Sequence, residues 1–315
     1  MEKILPALSW VPRWTSFVGC LYASSKYLGL GNTDSWLYGS SGLAFLLNID
    51  SGLCPSGPTA WKMERTYKML ENSGFSIKRV YSFNNQPDYP QKYLEATQVV
   101  RKSIDEGSPA MVFWAIEPEY YIVRGYNDDG VYISGANSEK TPFKKWTELT
   151  PSGIIEAVSI SAGKPVDPKQ TFIDSVNFAI DCWNGSDAIC HPQYRGGKAG
   201  YQAWIDSFDN PKLNGFGLAY NAQVWAECRM NLVDYLRQAK QILNISGSVM
   251  TEAIECSIVV AECLKMVATQ FPFVGQDEHH KHEQERVALA KNALETAKTV
   301  EEKMIEMLKD ISKSL

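Results

Sequence analysis

Residues 19–29 read Gly19-Cys20-Leu21-Tyr22-Ala23-Ser24-Ser25-Lys26-Tyr27-Leu28-Gly29, and this stretch decides which fold the sequence predicts. Its pattern is that of a short helix that begins at Cys20 and ends at Gly29, since glycine readily adopts the left-handed conformation that ends helices. Unpaired N–H groups and the helix dipole favour a thiolate over a thiol in a first turn. The stretch therefore predicts that Cys20 is a nucleophile by position.

The residues around this stretch carry helical patterns first and β-rich runs later. Helices are predicted over 59–73 and 89–106, each followed by a glycine. A strong turn is predicted at Asn127–Gly130, because asparagine, aspartate and glycine favour tight turns between strands. Strands are predicted over 75–83, 109–116, 120–126, 131–134 and 154–161. This order indicates an α+β domain with N-terminal helices and an antiparallel sheet over residues 1–164.

The second half of the chain has a helical pattern almost throughout. After a linker at Pro165–Pro168, it predicts an all-helical bundle domain over residues 165–315 that packs on the sheet domain or on another subunit. The predicted helices cover 169–182, 199–208, 217–243, 248–270 and 282–312. In the last of these, apolar residues recur at three- and four-residue steps. We expect the buried members to include Leu294, Val300, Met304 and Ile311.

Composition excludes several classes of partner. The chain has 315 residues, a net charge of −5 and no long basic stripe, so nucleic acid is not an expected partner. No apolar run approaches the roughly 18 residues that a membrane span needs, and no secretory signal is recognised at the start. The seven cysteines are odd in number and form no C-x-x-C pair. This pattern favours reduced thiols and a cytoplasmic protein.

Three motifs resemble a known group of enzymes. The pattern Cys20-x-x-Ala23-Ser24-x-x-Tyr27-Leu28-Gly29 resembles the nucleophile helix of papain-like bacterial cysteine enzymes, especially the leader-cleaving peptidases of bacteriocin exporters. The segment Gly39-x-x-Gly42-x-Ala44-Phe45 resembles the glycine-rich stretch of the butirosin-biosynthesis acyltransferase family. Residues 125–133 resemble the Gly-Tyr-Asp hairpin that both families place after their catalytic histidine. The resemblance covers roughly residues 14–161 and implies a papain-like domain.

The sequence departs from these families at the catalytic positions. Glu119 stands where the peptidase pattern places its histidine, and Trp14 stands where it places the oxyanion glutamine. The position of the orienting Asp or Asn falls at about Ser134–Gly135, and the nearest amide is Asn137. The resemblance therefore implies a papain-like fold with a degenerate catalytic triad.

The replacement of histidine by glutamate decides which chemistry is expected. A carboxylate beside a thiol raises the pKa of the thiol, because two negative charges repel each other. A protonated, hydrogen-bonding Glu119 that faces a neutral Cys20 suits the binding of a polar ligand better than attack on a carbonyl group. We therefore predict that this cleft binds a small-molecule or peptide-like ligand without hydrolysing it. The predicted ligand-binding residues are Trp14, Trp36, Tyr38, Tyr121 and Asn137.

Two other functions stay open on the sequence. One is an active thiol acyltransferase or amide hydrolase that uses Cys20 as nucleophile and a base from elsewhere, such as His191. The other is an interaction protein that forms a homodimer through its C-terminal helices. His279, His280 and His282 precede Glu283, and we interpret them as a solvated turn. Neither a metal nor a cofactor is predicted.

Overall fold

The chain divides into two compact units, and each is described here by itself. The computed structural model describes residues 2–273 and 278–315, without the side chains of residues 278 and 279. The first unit comprises residues 1–37 and 70–165. The second unit comprises residues 38–69 and 166–315.

The described residues form helices and short to medium strands. The helices are α1 (Ser16–Leu28), α2 (Asp34–Ser40), α3 (Glu64–Leu70), α4 (Tyr89–Asp105), α5 (Pro168–Trp183), α6 (Gly197–Ser207), α7 (Gly215–Ile242), α8 (Ser248–Gln270) and α9 (Gln284–Ser314). The strands are β1 (Lys3–Ile4), β2 (Asn48–Ile49), β3 (Phe75–Phe83), β4 (Ala110–Phe113), β5 (Tyr120–Tyr126), β6 (Gly130–Ser134), β7 (Phe143–Lys145), β8 (Ile154–Ala162) and β9 (Arg195–Gly196).

The first unit is built on an antiparallel sheet, so the predicted α+β class is confirmed. The strand order is β3-β8-β4-β5-β6-β7, and β1 pairs with the end of β5. The last strand of the unit, β8, returns to lie between β3 and β4. Strands β3 and β5 have the predicted bounds, and no helix interrupts residues 119–134. Strands β1 and β7 were not predicted, because each is too short to show a period in the sequence.

The predicted turn at Asn127–Gly130 is confirmed. The side-chain oxygen of Asn127 accepts hydrogen bonds from the backbone N–H groups of Asp129 and Gly130, each at 2.9 Å. The backbone N–H of Asn127 donates to the carbonyl of Gly130 at 2.9 Å. The asparagine side chain thus provides an acceptor for the backbone N–H groups of its own turn, which is why this residue type predicts turns well.

The second unit is mainly helical. Helices α5 to α9 lie within two residues of the predicted bounds, and α8 matches them at both ends. The expectation of an all-helical second half is wrong in one detail, since β9 pairs with β2 in a two-stranded ladder. In α9, Leu294, Met304 and Ile311 are buried as predicted, whereas Val300 is half-buried.

The predicted helix over 59–73 is shorter in the structure. Helix α3 begins at Glu64, and a 3₁₀ turn follows it at Glu71–Ser73. The backbone N–H groups of Thr59 and Ala60 donate to Ser56, and that of Lys62 donates to Ile189. These turn and long-range hydrogen bonds occupy donors that a helix would need, so the helix begins only after them.

Residues 38–69 group with the helical half of the chain, although the sequence analysis assigns them to the first domain. Close packing explains their position. An ideal Cβ on Gly39 would lie 2.1 Å from the ring of Tyr235, and one on Gly42 would lie 2.5 Å from the ring of Phe178. Gly42 also has a φ of +86°, which other residues rarely adopt. The glycines therefore allow this segment to approach α5 and α7. The predicted division into a papain-like domain over residues 1–164 and a helical bundle domain over residues 165–315 stays a prediction.

A buried guanidinium holds the same segment against the helices. Arg229 of α7 has no exposed surface, and all of its N–H groups have acceptors. The guanidinium pairs with Glu301 of α9 through contacts of 2.8 and 3.0 Å. Its remaining donors reach the carbonyls of Ala44 (2.8 Å), Leu46 (2.9 Å) and Phe45 (3.2 Å). One side chain thus links α7, α9 and the chain that leads into β2.

Electrostatics keep this buried group charged. Burial acts to lower the pKa of Arg229, but the charge of Glu301 and the hydroxyl of Tyr201 outweigh it, so the pKa lies above its ordinary value. Tyr201 donates a hydrogen bond to Glu301. Burial and the same carboxylate raise the pKa of Tyr201 well above its usual range. The cluster is therefore an ion pair with a neutral phenol.

Among the described residues, none of the helices combines the length with the apolar character that crossing a bilayer demands.

We predict that Glu301→Gln destabilises the protein by about 3–5 kcal/mol, because it leaves the Arg229 guanidinium buried without a counter-charge. Equilibrium urea denaturation measures this change in the free energy of unfolding. The matched control is Glu306→Gln on the same helix, which breaks an exposed pair with Lys309 and should change stability by less than about 0.5 kcal/mol. Equal losses in the two variants would contradict the role of Arg229.

Candidate functional site

The candidate site lies where α1 begins beside β5 in the first unit. Helix α1 begins at Ser16, so Cys20 is its fifth residue and not part of the first turn. This corrects the prediction that Cys20 opens the helix. Residues four apart lie on one face of a helix, so Ser16 and Cys20 face the same neighbours. The group nearest the positive end of α1 is therefore Ser16, one turn before the thiol.

The acidic group at the start of α1 is Glu119, whereas the sequence analysis predicts the Cys20 thiolate there. The hydroxyl of Ser16 donates to a carboxylate oxygen of Glu119. The same hydroxyl accepts the backbone N–H of Tyr120 at 3.0 Å, so its own proton points to Glu119. A carboxylate at a helix N-terminus is stabilised by the helix dipole. The helix start and the Ser16 hydroxyl thus favour a charged Glu119, in contrast to the protonated Glu119 that the sequence analysis expects.

Cys20 is a neutral thiol in this structure. Its side chain has no exposed surface. Burial raises the pKa of Cys20 well above its usual range, and the charge of Glu119 raises it further. The expectation that the helix start lowers this pKa is therefore wrong, because the helix begins one turn earlier and burial dominates. The expectation that Glu119 opposes ionisation of Cys20 is confirmed.

Aromatic residues fix the site in place. The rings of Phe17 and Tyr120 meet edge to face with centroids 5.0 Å apart, which joins α1 to β5. The hydroxyl of Tyr120 donates to Glu156 at 3.0 Å, and Glu156 also accepts from Arg79 at 2.8 Å. Because Tyr120 follows Glu119 directly, this packing holds the backbone that carries the carboxylate.

Tyr121 and Asn137 both hydrogen-bond to Glu117, which the sequence analysis did not identify. The hydroxyl of Tyr121 accepts the backbone N–H of Glu117 at 3.1 Å. The side-chain amide of Asn137 donates to the Glu117 carboxylate at 2.6 Å. Burial raises the pKa of Tyr121, the N–H of Glu117 opposes this rise, and nearby Glu117, Glu119 and Cys20 add to it. These predicted residues therefore lie in one electrostatic neighbourhood.

The other predicted ligand-binding residues are more dispersed. Trp14 is 36% exposed, two residues before Ser16. Trp36 is half-buried in the first turn of α2, where its N–H donates to Thr33. Tyr38 belongs to the second unit, has no exposed surface and donates to Glu227. Tyr38 is therefore a packing residue within the second unit.

Two tryptophans border the Ser16–Glu119 pair. The indole N–H of Trp10 donates to the carbonyl of Ser16 at 3.3 Å. The backbone N–H of Trp114 donates to the carbonyl of Glu119 at 2.8 Å, and Trp114 has a φ of +60°. Such a backbone conformation is strained for a bulky residue and is frequent at functional sites. The four-residue spacing between Ser16 and Cys20 could have shown from the sequence that both residues lie on one face of a helix. No sequence pattern pointed to Glu117 or to the backbone conformation of Trp114.

None of the four histidines belongs to the first unit. They are His191, His279, His280 and His282, all outside residues 1–37 and 70–165. Nδ1 of His280 lies 2.7 Å from Glu283, which also pairs with Arg286, and the side chain of His279 lies outside the described residues. The described residues hold no cluster of three or more histidine, cysteine and acidic side chains suited to a metal ion.

Comparison with models of known protein families and with curated proteins finds no match for this chain. The papain-like resemblance therefore stays a prediction, carried by the motifs around Cys20 and the hairpin after β5.

We predict that Cys20 reacts slowly with iodoacetamide in the folded protein. Cys54, Cys256 and Cys263 are half-buried, whereas Cys20 is fully buried and its raised pKa keeps it protonated. Peptide mapping by mass spectrometry after timed alkylation should show the three half-buried cysteines modified first. Modification of Cys20 among the earliest sites would contradict a buried neutral thiol.

We also predict that Cys20 makes stability fall at alkaline pH. The folded state holds the thiol proton more tightly than the unfolded chain, so this contribution is complete below the unfolded pKa of about 8.5 and is lost as the pH rises above it. The free energy of unfolding should fall less steeply in Cys20→Ala than in the wild type, by up to about 1.4 kcal/mol per pH unit. Parallel curves above pH 8.5 would contradict the prediction.

Proposed function

We propose that the first unit is a papain-like domain with a degenerate catalytic triad that binds a small polar or peptide-like ligand without hydrolysing it. The observation that carries the proposal is the Glu119 carboxylate, which accepts a hydrogen bond from Ser16 at the start of α1 and helps to raise the pKa of the fully buried Cys20. A thiol in this state is a poor nucleophile, whereas the carboxylate is a ready acceptor of hydrogen bonds.

The absence of an imidazole from the residues of the first unit supports binding over catalysis. A thiol acyl-transfer reaction needs a group that takes the thiol proton and later gives it to the leaving group. Glu119 serves this purpose badly, because its charge makes Cys20 harder to ionise. The arrangement therefore favours recognition of a ligand by a carboxylate.

The neighbours of Glu119 indicate the ligand chemistry. Glu119 is half-buried and Glu117 is exposed, and carboxylates accept hydrogen bonds without donating any. The tryptophans at positions 10 and 114 border the same pair of residues, and each is half-buried, so part of its surface is accessible. A ligand that combines N–H or ammonium donors with an apolar part matches these groups. Peptides and small amines have this combination.

We infer a cytoplasmic location for the same protein. All seven cysteines lie among the described residues, and all are free thiols. Reduced cysteines in this number are typical of proteins that function in a reducing compartment.

Incubation with acyl thioesters of N-acetylcysteamine, followed by intact-mass spectrometry and peptide mapping, tests whether Cys20 is a nucleophile. We expect no acyl adduct on Cys20 beyond the level on the other six cysteines. An adduct on Cys20 that forms faster than on the others, is released by an amine and disappears in Cys20→Ser would overturn the proposal. It would establish the alternative, an active thiol acyltransferase.

Thermal unfolding with a panel of dipeptides and small primary amines tests the binding itself. A ligand that binds only the folded state raises the unfolding temperature. We expect at least one of these compounds to stabilise the wild type and Cys20→Ser equally, and to lose its effect in Glu119→Gln. Stabilisation that survives Glu119→Gln, or that requires the Cys20 thiol, would contradict a site centred on the carboxylate.

A further inference from the structure

Helices α8 and α9 run antiparallel within the second unit. The Arg286 guanidinium, near the start of α9, donates to the carbonyl of Gln270 at the end of α8 at 2.7 Å. Further along, Lys303 lies close enough to Cys256 to lower the pKa of that thiol, although burial and the neighbouring acidic residues outweigh the effect. The two contacts place the end of α8 beside the start of α9 and its middle beside the middle of α9.

Helix α8 carries apolar residues on its outer side as well as on its buried face. One face is buried in the second unit, and its members include Met250, Val260 and Leu264. The other face carries Cys256, Val259, Cys263 and Met266, at successive steps of three, four and three residues. Val259 is 38% exposed and Met266 is 44% exposed. A helix with a single packed face would carry polar residues at these positions.

Helix α9 carries a matching series on its outer side. Ala293, Thr296, Val300, Lys303 and Met307 follow one another at steps of three and four residues, and each is half-buried or exposed. Because α8 and α9 pack against each other along their length, with Lys303 near Cys256, the outer series of the two helices are neighbours on one surface. We call this surface the α8–α9 face. Its spacing is that of the seams through which helices pair in coiled coils and bundles.

We propose that the α8–α9 face binds a second copy of this chain and forms a symmetric four-helix contact. The dimensions fit this occupant. A 23-residue helix is about 34 Å long. Two neighbouring helices, each about 10 Å in diameter, form a face roughly 20 Å wide. Such a face presents roughly 700 Å², close to the ~800 Å² per partner of a specific interface.

The charges favour one symmetric arrangement. The outer side of α8 carries Glu252, Glu255 and Glu262 and a single base, Lys265. On α9, Lys303 is exposed and has no ion pair among the described residues. A two-fold axis parallel to the helices places α8 opposite α9 of the second copy, so that Lys303 meets the acidic side of α8. The perpendicular two-fold axis would place α8 against α8 and set these carboxylates against one another.

Sedimentation velocity of the full chain, kept reduced so that Cys256 and Cys263 form no disulfides, tests the proposal. We expect a dimer at about 100 µM, which exceeds the micromolar dissociation constants at the weak end for interfaces of this size. Val259→Lys should weaken association at least about tenfold, because it brings an uncompensated charge into the apolar seam. The matched control, Leu94→Lys, changes a residue that is 63% exposed in the first unit and should leave the dimer intact.

A charge exchange tests the arrangement of the two copies. Lys303→Glu should weaken the dimer, and the addition of Glu255→Lys in the same chain should restore it. Circular dichroism verifies that each variant keeps its helical content, which we expect because all the changed residues are exposed. A monomer at the highest concentration, which would leave the face to another partner, overturns the proposal. A dimer that Val259→Lys does not weaken overturns it as well. Failure of the charge exchange alone would contradict the parallel axis.

Discussion

The ion pair between Arg229 and Glu301 organises the second unit. Removal of two charges from water is costly, and the cost is offset only when every donor and acceptor finds a partner. Arg229 meets this condition through Glu301 and three consecutive carbonyls at residues 44–46. These carbonyls lie in a segment that forms neither a helix nor a ladder. The guanidinium therefore supplies the donors that secondary structure would otherwise provide.

In the first unit, the residue that lies at the start of α1 determines which side chain is charged. The start of α1 favours a negative charge, and the chain places a carboxylate there instead of a thiolate. Cys20 lies one turn further along the same face, where burial keeps it neutral. The same helix thus stabilises the charge of one residue and leaves another protonated. This difference is the basis of the proposal that the first unit binds a ligand without covalent catalysis.

The α8–α9 face is a surface feature of the second unit. Both helices pack one side within the unit. On the other side α8 carries an apolar series, and on α9 Ala293, Val300 and Met307 alternate with Thr296 and Lys303. Single apolar residues on a surface need no explanation. Here, however, the residues on two neighbouring helices follow the regular three- and four-residue steps of helix-pairing seams. Its charges are distributed unequally between α8 and α9, which in the proposed dimer favours one orientation of the two copies.

The sequence by itself determined most of the secondary structure. Strands β3 and β5 and helix α8 have the predicted bounds, because long periodic runs and local turn residues act over a few neighbours. It also predicted that Glu119 opposes ionisation of Cys20. Only the tertiary structure decided that α1 begins at Ser16 and that Ser16 joins Glu119, since their contact spans 103 residues. Likewise, the pairing of Arg229 with Glu301 and with residues 44–46 depends on a fold that brings distant segments together, and no local pattern records it.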